Sequence, residues 1–347
     1  MTDLQIIQSI TNIVHGEPPL FDIHELLFYH RCYYLLTLYD NPYRTTVLLR
    51  KSINRIATQE RYSAIKEVLK QVTFDYAIIK GSILSYMAYG DSFIRLSGDI
   101  DLLMSRNNAE SIKRIFLQDG FVQGKVKQNT IYPFTRKEII YHSSTTHQSA
   151  PYIKALQSNI LPFMNVDINY SVMWGEYKDD LDINYVLSHI EPFKLDDLTV
   201  NKLIPEMEFI SLCLHHYKDL NSIYLLSKNG LRLCYFCDIF YYLKRNPLNI
   251  NLLLTIIQTL NVGRYIYYCL YYTNRIFYSQ QINNLMLFLA QYMDEKIINT
   301  FGLSDDERKN WNTDFLTRLF HFDSKKHLLN ELNHFDLEKI RLNRLFM

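Results

Sequence analysis

The sequence predicts an α+β fold in which a small mixed sheet with helices stands between two helical regions. Apolar residues recur at helical spacing before residue 71, strand-like patterns dominate from 72 to 175, and helical spacing returns from 176 to 347. These changes of period define three predicted domains: an N-terminal helical region (1–71), an α/β core (72–175) and an all-helical C-terminal domain (176–347). A chain of 347 residues is long enough for two or three packed subdomains.

The core is predicted to begin with a strand at 74–79, which passes through Lys80, Gly81 and Ser82 into a short helix that ends near Gly90. A second strand follows at 99–104, and Asn108 is a candidate cap for a helix at 109–118. Other strands are predicted at 121–126, 138–142 and 163–172, and C-terminal helices at 206–220, 231–244, 252–276 and 285–301.

The composition of the chain argues against several classes of protein. The 37 Lys and Arg residues nearly balance 36 Asp and Glu residues, which argues against a protein that coats long nucleic acid. Five scattered cysteines suit a reducing compartment better than a disulfide framework. The start lacks the features of a signal peptide, and no stretch of about 20 apolar residues is present. We therefore expect a soluble cytoplasmic protein with no membrane partner.

Asp99 and Asp101 carry the first sign of chemistry. Side chains alternate along a strand, so both carboxylates are expected on one face, where they repel each other unless a cation lies between them. Ligands that offer only oxygen favour a hard ion such as Mg²⁺. The alternative is an exposed strand edge with solvated charges.

The turn at Lys80, Gly81 and Ser82 is the second sign. It lies where a strand feeds a helix, and backbone N–H groups at such a position can receive phosphate oxygens. Ser82 either adds a hydroxyl donor or caps the helix, and Lys80 faces a triphosphate or the solvent. Arg95 is expected to pair with a phosphate or with one of the aspartates.

Asp167 is the third candidate carboxylate. The alternating pattern around it places its side chain on the opposite face of the strand from Val166 and Ile168. Three carboxylates around two Mg²⁺ ions can align an acceptor hydroxyl, an α-phosphorus and a leaving pyrophosphate. This arrangement is typical of nucleotidyl transfer from a nucleoside triphosphate (NTP).

These residues resemble the pattern of the DNA-polymerase-β-like nucleotidyltransferase superfamily, in which a Gly-Gly or Gly-Ser turn precedes a carboxylate–apolar–carboxylate strand and a later strand carboxylate. The likeness is closer to a largely uncharacterised bacterial nucleotidyltransferase family and covers about residues 30 to 280. The segments that carry it are 79–82, 89–91, Arg95, Asp99–Met104, 212–218 and 231–238.

The resemblance implies that Asp99, Asp101 and Asp167 hold two Mg²⁺ ions, with Mn²⁺ as the alternative metal. It also implies that Gly81 and Ser82 contact phosphate, and that His215 and Asp238 line the cleft from the helical domain. The chain departs from the family's pattern in two respects: sixteen residues separate Ser82 from Asp99, and Asn169 and Asp219 stand where relatives have histidines.

Other interpretations remain open at this point. The acceptor is a small metabolite, a peptide, a protein or tRNA. One alternative to an enzyme is a nucleotide-binding or interaction protein that keeps the fold without the reaction. Another is a structural helical protein in which the Asp-Ile-Asp sequence occurs by chance. Cys234 and Cys237, near His215, form either a zinc site or part of the core. The polar stretch 142–147 is expected to be a loop, either at the surface or beside the acceptor.

Overall fold

The structure, a computed structural model, describes residues 2–175, 177, 181–195, 198–321, 328 and 331–346. The predicted α+β fold is confirmed. The described residues form helices α1 (Asp3–Val14), α2 (His24–Tyr29), α3 (Arg44–Gln71), α4 (Gly81–Tyr89), α5 (Ala109–Gln118), α6 (Arg136–Thr145), α7 (Ile183–Leu187), α8 (Pro205–Asn221), α9 (Ile223–Asn229), α10 (Leu233–Arg245), α11 (Ile250–Leu260), α12 (Gly263–Ile276), α13 (Gln280–Phe288), α14 (Glu295–Ile298), α15 (Phe315–Phe320) and α16 (His334–Phe346).

The main sheet has six strands in the order β1-β2-β6-β5-β3-β4. Only β2 and β6 among neighbouring pairs in this sheet run parallel. Two small antiparallel pairs, β7 with β8 and β9 with β10, lie outside it. The strands are β1 (Tyr76–Ile79), β2 (Asp99–Met104), β3 (Val122–Lys127), β4 (Thr130–Pro133), β5 (Tyr152–Ala155), β6 (Phe163–Asn169), β7 (Ile190–Leu195), β8 (Leu198–Leu203), β9 (Thr300–Phe301) and β10 (Lys309–Asn310).

The sheet separates two apolar cores, because successive side chains of a strand point to opposite faces. Ile79 and Leu103 belong to the larger core, which includes the C-terminal helices. Ile78 and Leu102 belong to the smaller core, which α3 and α5 cover. Asp101 follows the alternation of Leu103, so its side chain is on the face toward the C-terminal helices.

Helix α3 supports the strand–turn–helix segment from the other side. Asn54 donates hydrogen bonds from Nδ2 to the carbonyl oxygens of Phe93 and Arg95, at 2.7 and 3.2 Å. Lys51 forms an ion pair with Asp91. These hydrogen bonds and this ion pair therefore hold the loop before β2 against helix α3.

The strand predicted at 138–142 is wrong, since these residues lie in α6. Thr135 and Glu138 form a capping box: each side chain bonds the backbone N–H of the other. Glu138 also forms an ion pair with Lys125 of β3, at 2.7 Å. The cap satisfies N–H groups that a strand would have offered to a neighbour, and it starts a helix. His142, expected in a polar loop, is buried on this helix.

The C-terminal region, predicted to be all-helical, contains the two antiparallel strand pairs β7–β8 and β9–β10 in its described part, and β8 lies against β1. Pro192 inside β7 weakens the strand signal because proline cannot donate to a ladder. The helix predicted at 252–276 is two helices, since Asn261 adopts a left-handed conformation (φ 54°) between α11 and α12. The segment 285–301 is likewise divided, among α13, α14 and β9.

Among the helices in the described part of the chain, none has both the length and the apolar composition that a membrane crossing requires.

Candidate active site

Asp101 and Asp167 are directly opposite each other on the parallel strands β2 and β6. Neighbouring strands lie about 4.8 Å apart, so the two side chains leave the same face of the sheet side by side. Asp99 precedes Asp101 by two residues on that face and is opposite Asn165. The structure thus brings together the three carboxylates that the sequence analysis singled out.

Two side chains contact Asp101 directly. Lys80 donates a hydrogen bond from Nζ to Asp101 Oδ1 at 3.1 Å, and Asn169 donates one from Nδ2 to the same oxygen at 3.1 Å. Gln148 in turn donates to Oδ1 of Asn169 at 2.6 Å. Lys80, for which the sequence left triphosphate and solvent open, lies against a carboxylate here.

The carboxylates lack sufficient compensating positive charge. Burial, followed by the charges of Asp101 and Asp99, raises the pKa of Asp167 to about 7. Burial and Asp101 also raise the pKa of Asp99, against the opposing effects of Lys80 and Arg61. Burial tends to lower the pKa of Lys80, but the attraction of Asp101 outweighs it and raises that pKa. An added cation would relieve this repulsion.

The turn between β1 and α4 has an unusual backbone. Lys80 has φ 62° and Gly81 has φ 51°, so two successive residues adopt positive φ values. No side chain caps the N-terminus of α4, which leaves its first N–H groups available to an anion. Ile79 is opposite Asp101, so the turn begins beside the carboxylates. Ser82 is buried and forms a side-chain hydrogen bond with Tyr62 of α3.

His215 lies on α8 and lines the same cavity as Lys80. Its Nε2 is 3.5 Å from Oδ2 of Asp219, the residue where relatives have histidine. Burial, then the nearby charges of Lys80 and Lys218, lower the pKa of His215 well below its usual range. The imidazole is therefore neutral near physiological pH, when it can accept a proton or a hydrogen bond.

Arg95 and Asp238 lie together, away from this cavity. Arg95 Nε donates to Oδ2 of Asp238 at 3.1 Å, Tyr89 OH donates to Oδ1 at 2.5 Å, and His216 Nε2 is 3.2 Å from Oδ2. Asp238 is only 1% exposed. The oxygens of Asp238 thus contact protein groups on α4, on α8 and in the loop before β2, and the expected contact of Asp238 with the nucleotide stays a prediction.

Sequence reasoning assigned no role to Arg61 or to His216. Arg61 of α3 is 3% exposed, and its Nε has no hydrogen-bond partner among the residues that the structure describes. Burial lowers the pKa of Arg61, and the charge of Asp99 opposes that shift. His216, rather than His215, contacts Asp238. Arg61 stands in no motif. His216 lies in the segment 212–218 that carries the family resemblance, but the sequence does not show which of its two histidines contacts Asp238.

The donor chemistry at β2 and β6 fits a hard divalent cation, because the three side chains offer only carboxylate oxygens and two of them have raised pKa values. Within the described residues, no three His, Cys, Asp or Glu side chains converge closely enough to coordinate an ion as they stand. Lys80 and Asn169 take up Oδ1 of Asp101 in this arrangement.

Cys237 of α10 lies beside Cys32, with 3.6 Å between their sulfur atoms, and both thiols are buried. Cys234 is partly exposed on the same helix. In the part of the chain that the structure describes, neither thiol joins His215 in a group of three metal ligands.

The comparison with protein families shows which family the chain belongs to. Residues 49–278 match a family described as uncharacterised nucleotidyltransferase, and this range is more than half of the 347 residues. The chain belongs to that family. The matched range contains the turn at Lys80, the three aspartates and His215.

Among solved structures, the chain is similar to an antigenic nucleotidyltransferase-like protein from Paracoccidioides brasiliensis. It shares 15% identity with a TM-score of 0.30, over 68% of this chain and 87% of that one. No curated protein matches the chain.

Proposed function

We propose that the protein is a Mg²⁺-dependent nucleotidyltransferase of the polymerase-β-like superfamily, which moves a nucleoside monophosphate from an NTP to a hydroxyl or phosphate acceptor. The observation that carries the proposal is the pairing of Asp101 with Asp167 on parallel strands, beside the uncapped N-terminus of α4. Membership of a nucleotidyltransferase family supports it.

Asp99, Asp101 and Asp167 would hold the ions, which would place positive charge on the α-phosphate and lower the barrier to deprotonation of the acceptor. The N–H groups at the start of α4 bind phosphate oxygens and hold the triphosphate. Asp167 accepts the proton of the acceptor hydroxyl. The acceptor oxygen bonds to the α-phosphorus, the bond from that phosphorus to the bridging oxygen breaks, and pyrophosphate leaves.

Lys80 has two partners in this scheme. In the free protein it neutralises Asp101, as the 3.1 Å contact indicates. When a metal takes up Asp101, Lys80 is free to bind the triphosphate, the role that the sequence also allowed. Lys80 lines the cavity as well as contacting Asp101, which supports a role with both partners.

The test uses an NTP labelled at the α-phosphate, Mg²⁺ or Mn²⁺, and candidate acceptors that include metabolites, peptides, proteins and tRNA. We expect label transfer by the wild type and none by an Asp99→Ala, Asp101→Ala double variant. An Asp75→Ala, Asp306→Ala double variant changes two exposed aspartates and is the matched control. Equal transfer by both double variants would refute the assignment of the site.

A second candidate is a nucleotide-binding protein without the reaction. The contact of Lys80 with Asp101 favours it, because that contact opposes metal binding. Magnesium-dependent NTP binding without release of pyrophosphate, across all acceptors, would support this candidate. A thermal-shift series over the four NTPs, with and without Mg²⁺, measures binding and base preference together.

A further inference from the structure

A cavity of about 600 Å³ opens beside the carboxylates. Lys80 and Asn169 line its inner end, and both donate hydrogen bonds to Asp101. His215 and Lys218 of α8 line it as well. Cavities of roughly 300 to 1,000 Å³ hold ligands the size of a drug or a nucleotide. A ligand in this cavity would lie against the residues that contact Asp101.

The outer wall of the cavity consists of α6 and the C-terminal helix α16. Tyr141 OH donates to Oδ1 of Asn343 at 2.8 Å, which joins the two helices. Lys339 of α16 forms an ion pair with Glu307. These contacts fix α16 beside α6, and a cavity of about 600 Å³ has the size of a small molecule rather than of a folded macromolecule.

Hydroxyl groups line the α6 side. Ser144 and Thr145 donate to the carbonyl oxygen of Tyr141 at 3.1 and 2.7 Å, and Thr146 donates to that of His142 at 2.7 Å. Because the hydroxyl hydrogens of Ser144 and Thr145 are used, their oxygen atoms remain as acceptors for ligand hydroxyl or amino groups, whereas Thr146 Oγ1 already accepts the N–H of Gln148 at 3.2 Å. Lys218 and Lys339 line the same cavity and can donate to ligand oxygens.

The outer wall and the carboxylates come from different parts of the chain. The family match ends at residue 278, whereas Glu307, Lys339 and Asn343 follow it. Side chains beyond the matched range thus shape the space next to a site that lies within it. Such a division is expected in a family whose members carry out one reaction on acceptors of different structure: the catalytic residues lie in the shared range, and the residues that recognise the acceptor lie outside it.

We propose that this cavity binds the acceptor, and that the acceptor is a small molecule with several hydroxyl or amino groups, selected by side chains of α6 and α16. The inference rests on the proposed nucleotidyl transfer. One hydroxyl of the acceptor forms the new bond to the α-phosphorus as pyrophosphate departs, and its other polar groups bind the hydroxyl-lined wall.

Two neighbouring serines provide the matched test. Ser144 and Ser143 are both exposed on α6 and both donate to a backbone carbonyl three residues earlier, but only Ser144 lines the cavity. Wild type, Ser144→Trp and Ser143→Trp are incubated with α-labelled NTP, Mg²⁺ and either the low-molecular-weight fraction or the tRNA and protein fraction of a cell extract. We expect wild type and Ser143→Trp to label a small product equally, and Ser144→Trp to do so at least about tenfold more slowly.

A second pair of variants protects the test against a folding defect at Ser144. Lys339→Met changes a cavity-lining residue of α16, and Arg341→Met changes an exposed residue of the same helix that pairs with Glu338. Lys339→Met should slow labelling of the small product, and Arg341→Met should not. NTP affinity and melting temperature are measured for every variant. NTP affinity should stay at the wild-type value, and melting temperature should fall by a similar small amount in Lys339→Met and Arg341→Met, since each loses one ion pair.

The outcomes separate the two proposals. Label in tRNA or protein, or equal rates within both pairs of variants, would overturn the small-molecule acceptor while leaving nucleotidyl transfer intact. If the wild type labels neither fraction, the transfer reaction itself fails, and the acceptor assignment fails with it.

Discussion

Asp101 and Asp167 are opposite each other across two strands, yet their surroundings differ. Asp101 receives hydrogen bonds from Lys80 and Asn169, whereas in the described part of the chain no Lys or Arg forms an ion pair with Asp167, and burial together with its neighbours raises the pKa of Asp167 to about 7. Asp101 thus has an ion-pair partner in the free protein, whereas its surroundings favour the protonated form of Asp167. Replacing each by asparagine should therefore have opposite effects on stability.

We predict that Asp167→Asn stabilises the metal-free protein. The folded-state pKa lies above the usual 3.8, so this group's contribution is fully present below about pH 4 and is lost as pH rises toward about 7. Asparagine resembles the protonated form. The free energy of unfolding at about pH 8 should rise by about 1–3 kcal/mol, after allowance for solvent screening. The change is measured by chemical denaturation across this pH range in a metal chelator.

Asp101→Asn is the contrasting variant. It removes the ion pair of a largely buried Lys80, whose side chain is 17% exposed, and should lower the free energy of unfolding by about 1–3 kcal/mol. Both variants should lose nucleotidyl transfer. If Asp167→Asn proved the less stable of the two without metal, the electrostatic description of the site would be wrong.

The alternation of apolar and acidic residues in β2 and β6 was enough to predict which carboxylates share a face. It was not enough to predict their partners. Whether Lys80 points to a carboxylate or a phosphate depends on backbone angles at the turn and on Asn169, 89 positions later in the chain. Arg61 approaches Asp99 from a long helix whose sequence carries no motif.

At the scale of elements, the turn between β1 and α4 gives a sharp test. Gly81 has φ 51°, and a Cβ there would lie 3.3 Å from Ser97 Oγ. Gly81→Ala should cost about 1–2 kcal/mol of stability and should weaken NTP binding, because the turn must shift.

Gly98→Ala is the control for that substitution, since no heavy atom lies within 4 Å of a Cβ built there. It should change stability by no more than about 0.5 kcal/mol. Denaturation and titration with NTP measure both variants. Wild-type NTP affinity in Gly81→Ala would argue against phosphate binding at this turn.

Element boundaries were predictable where caps or alternation were strong, and not elsewhere. The spacing of Thr135 and Glu138 is a capping-box pattern, which predicts a helix start at α6. The apolar pair Ile139 and Ile140 favoured a strand instead, and the capping box is the signal that would have corrected it. The β7–β8 hairpin was harder to predict, because Pro192 interrupts one strand and no Asn-Gly or Asp-Gly pair follows it.

For the whole molecule, the network around Asp238 joins the loop before β2 to α4, α8 and α10. Burial tends to raise the pKa of Asp238, but Arg95 and the hydrogen bond with His216 outweigh it and hold that pKa below its usual value. The sequence left a phosphate or an aspartate as the partner of Arg95, and the family resemblance implied a cleft position for Asp238. Their contact with each other, together with Tyr89 and His216, favours a role in holding the core against the helices.

We predict that Asp238→Ala lowers the free energy of unfolding by about 3–5 kcal/mol, because it leaves Arg95 without its ion-pair partner. NTP affinity, measured well below the melting transition, should not change. Asp306→Ala, at an exposed aspartate, should change stability by at most about 0.5 kcal/mol. A selective loss of NTP affinity in Asp238→Ala, with stability retained, would restore the nucleotide-binding role.

The parallel pairing of β2 with β6 has a further consequence. Parallel strands cannot be joined by a tight turn, so a long crossover connects β2 to β6, and it supplies β3, β4 and β5 of the same sheet. Helix α6 lies in the part of this crossover between β4 and β5. Changes of length or composition in that segment alone can therefore alter what the wall beside the site recognises without moving either aspartate. Exchanging this segment between related chains is thus a practical route to new acceptors, for evolution and for protein engineers alike.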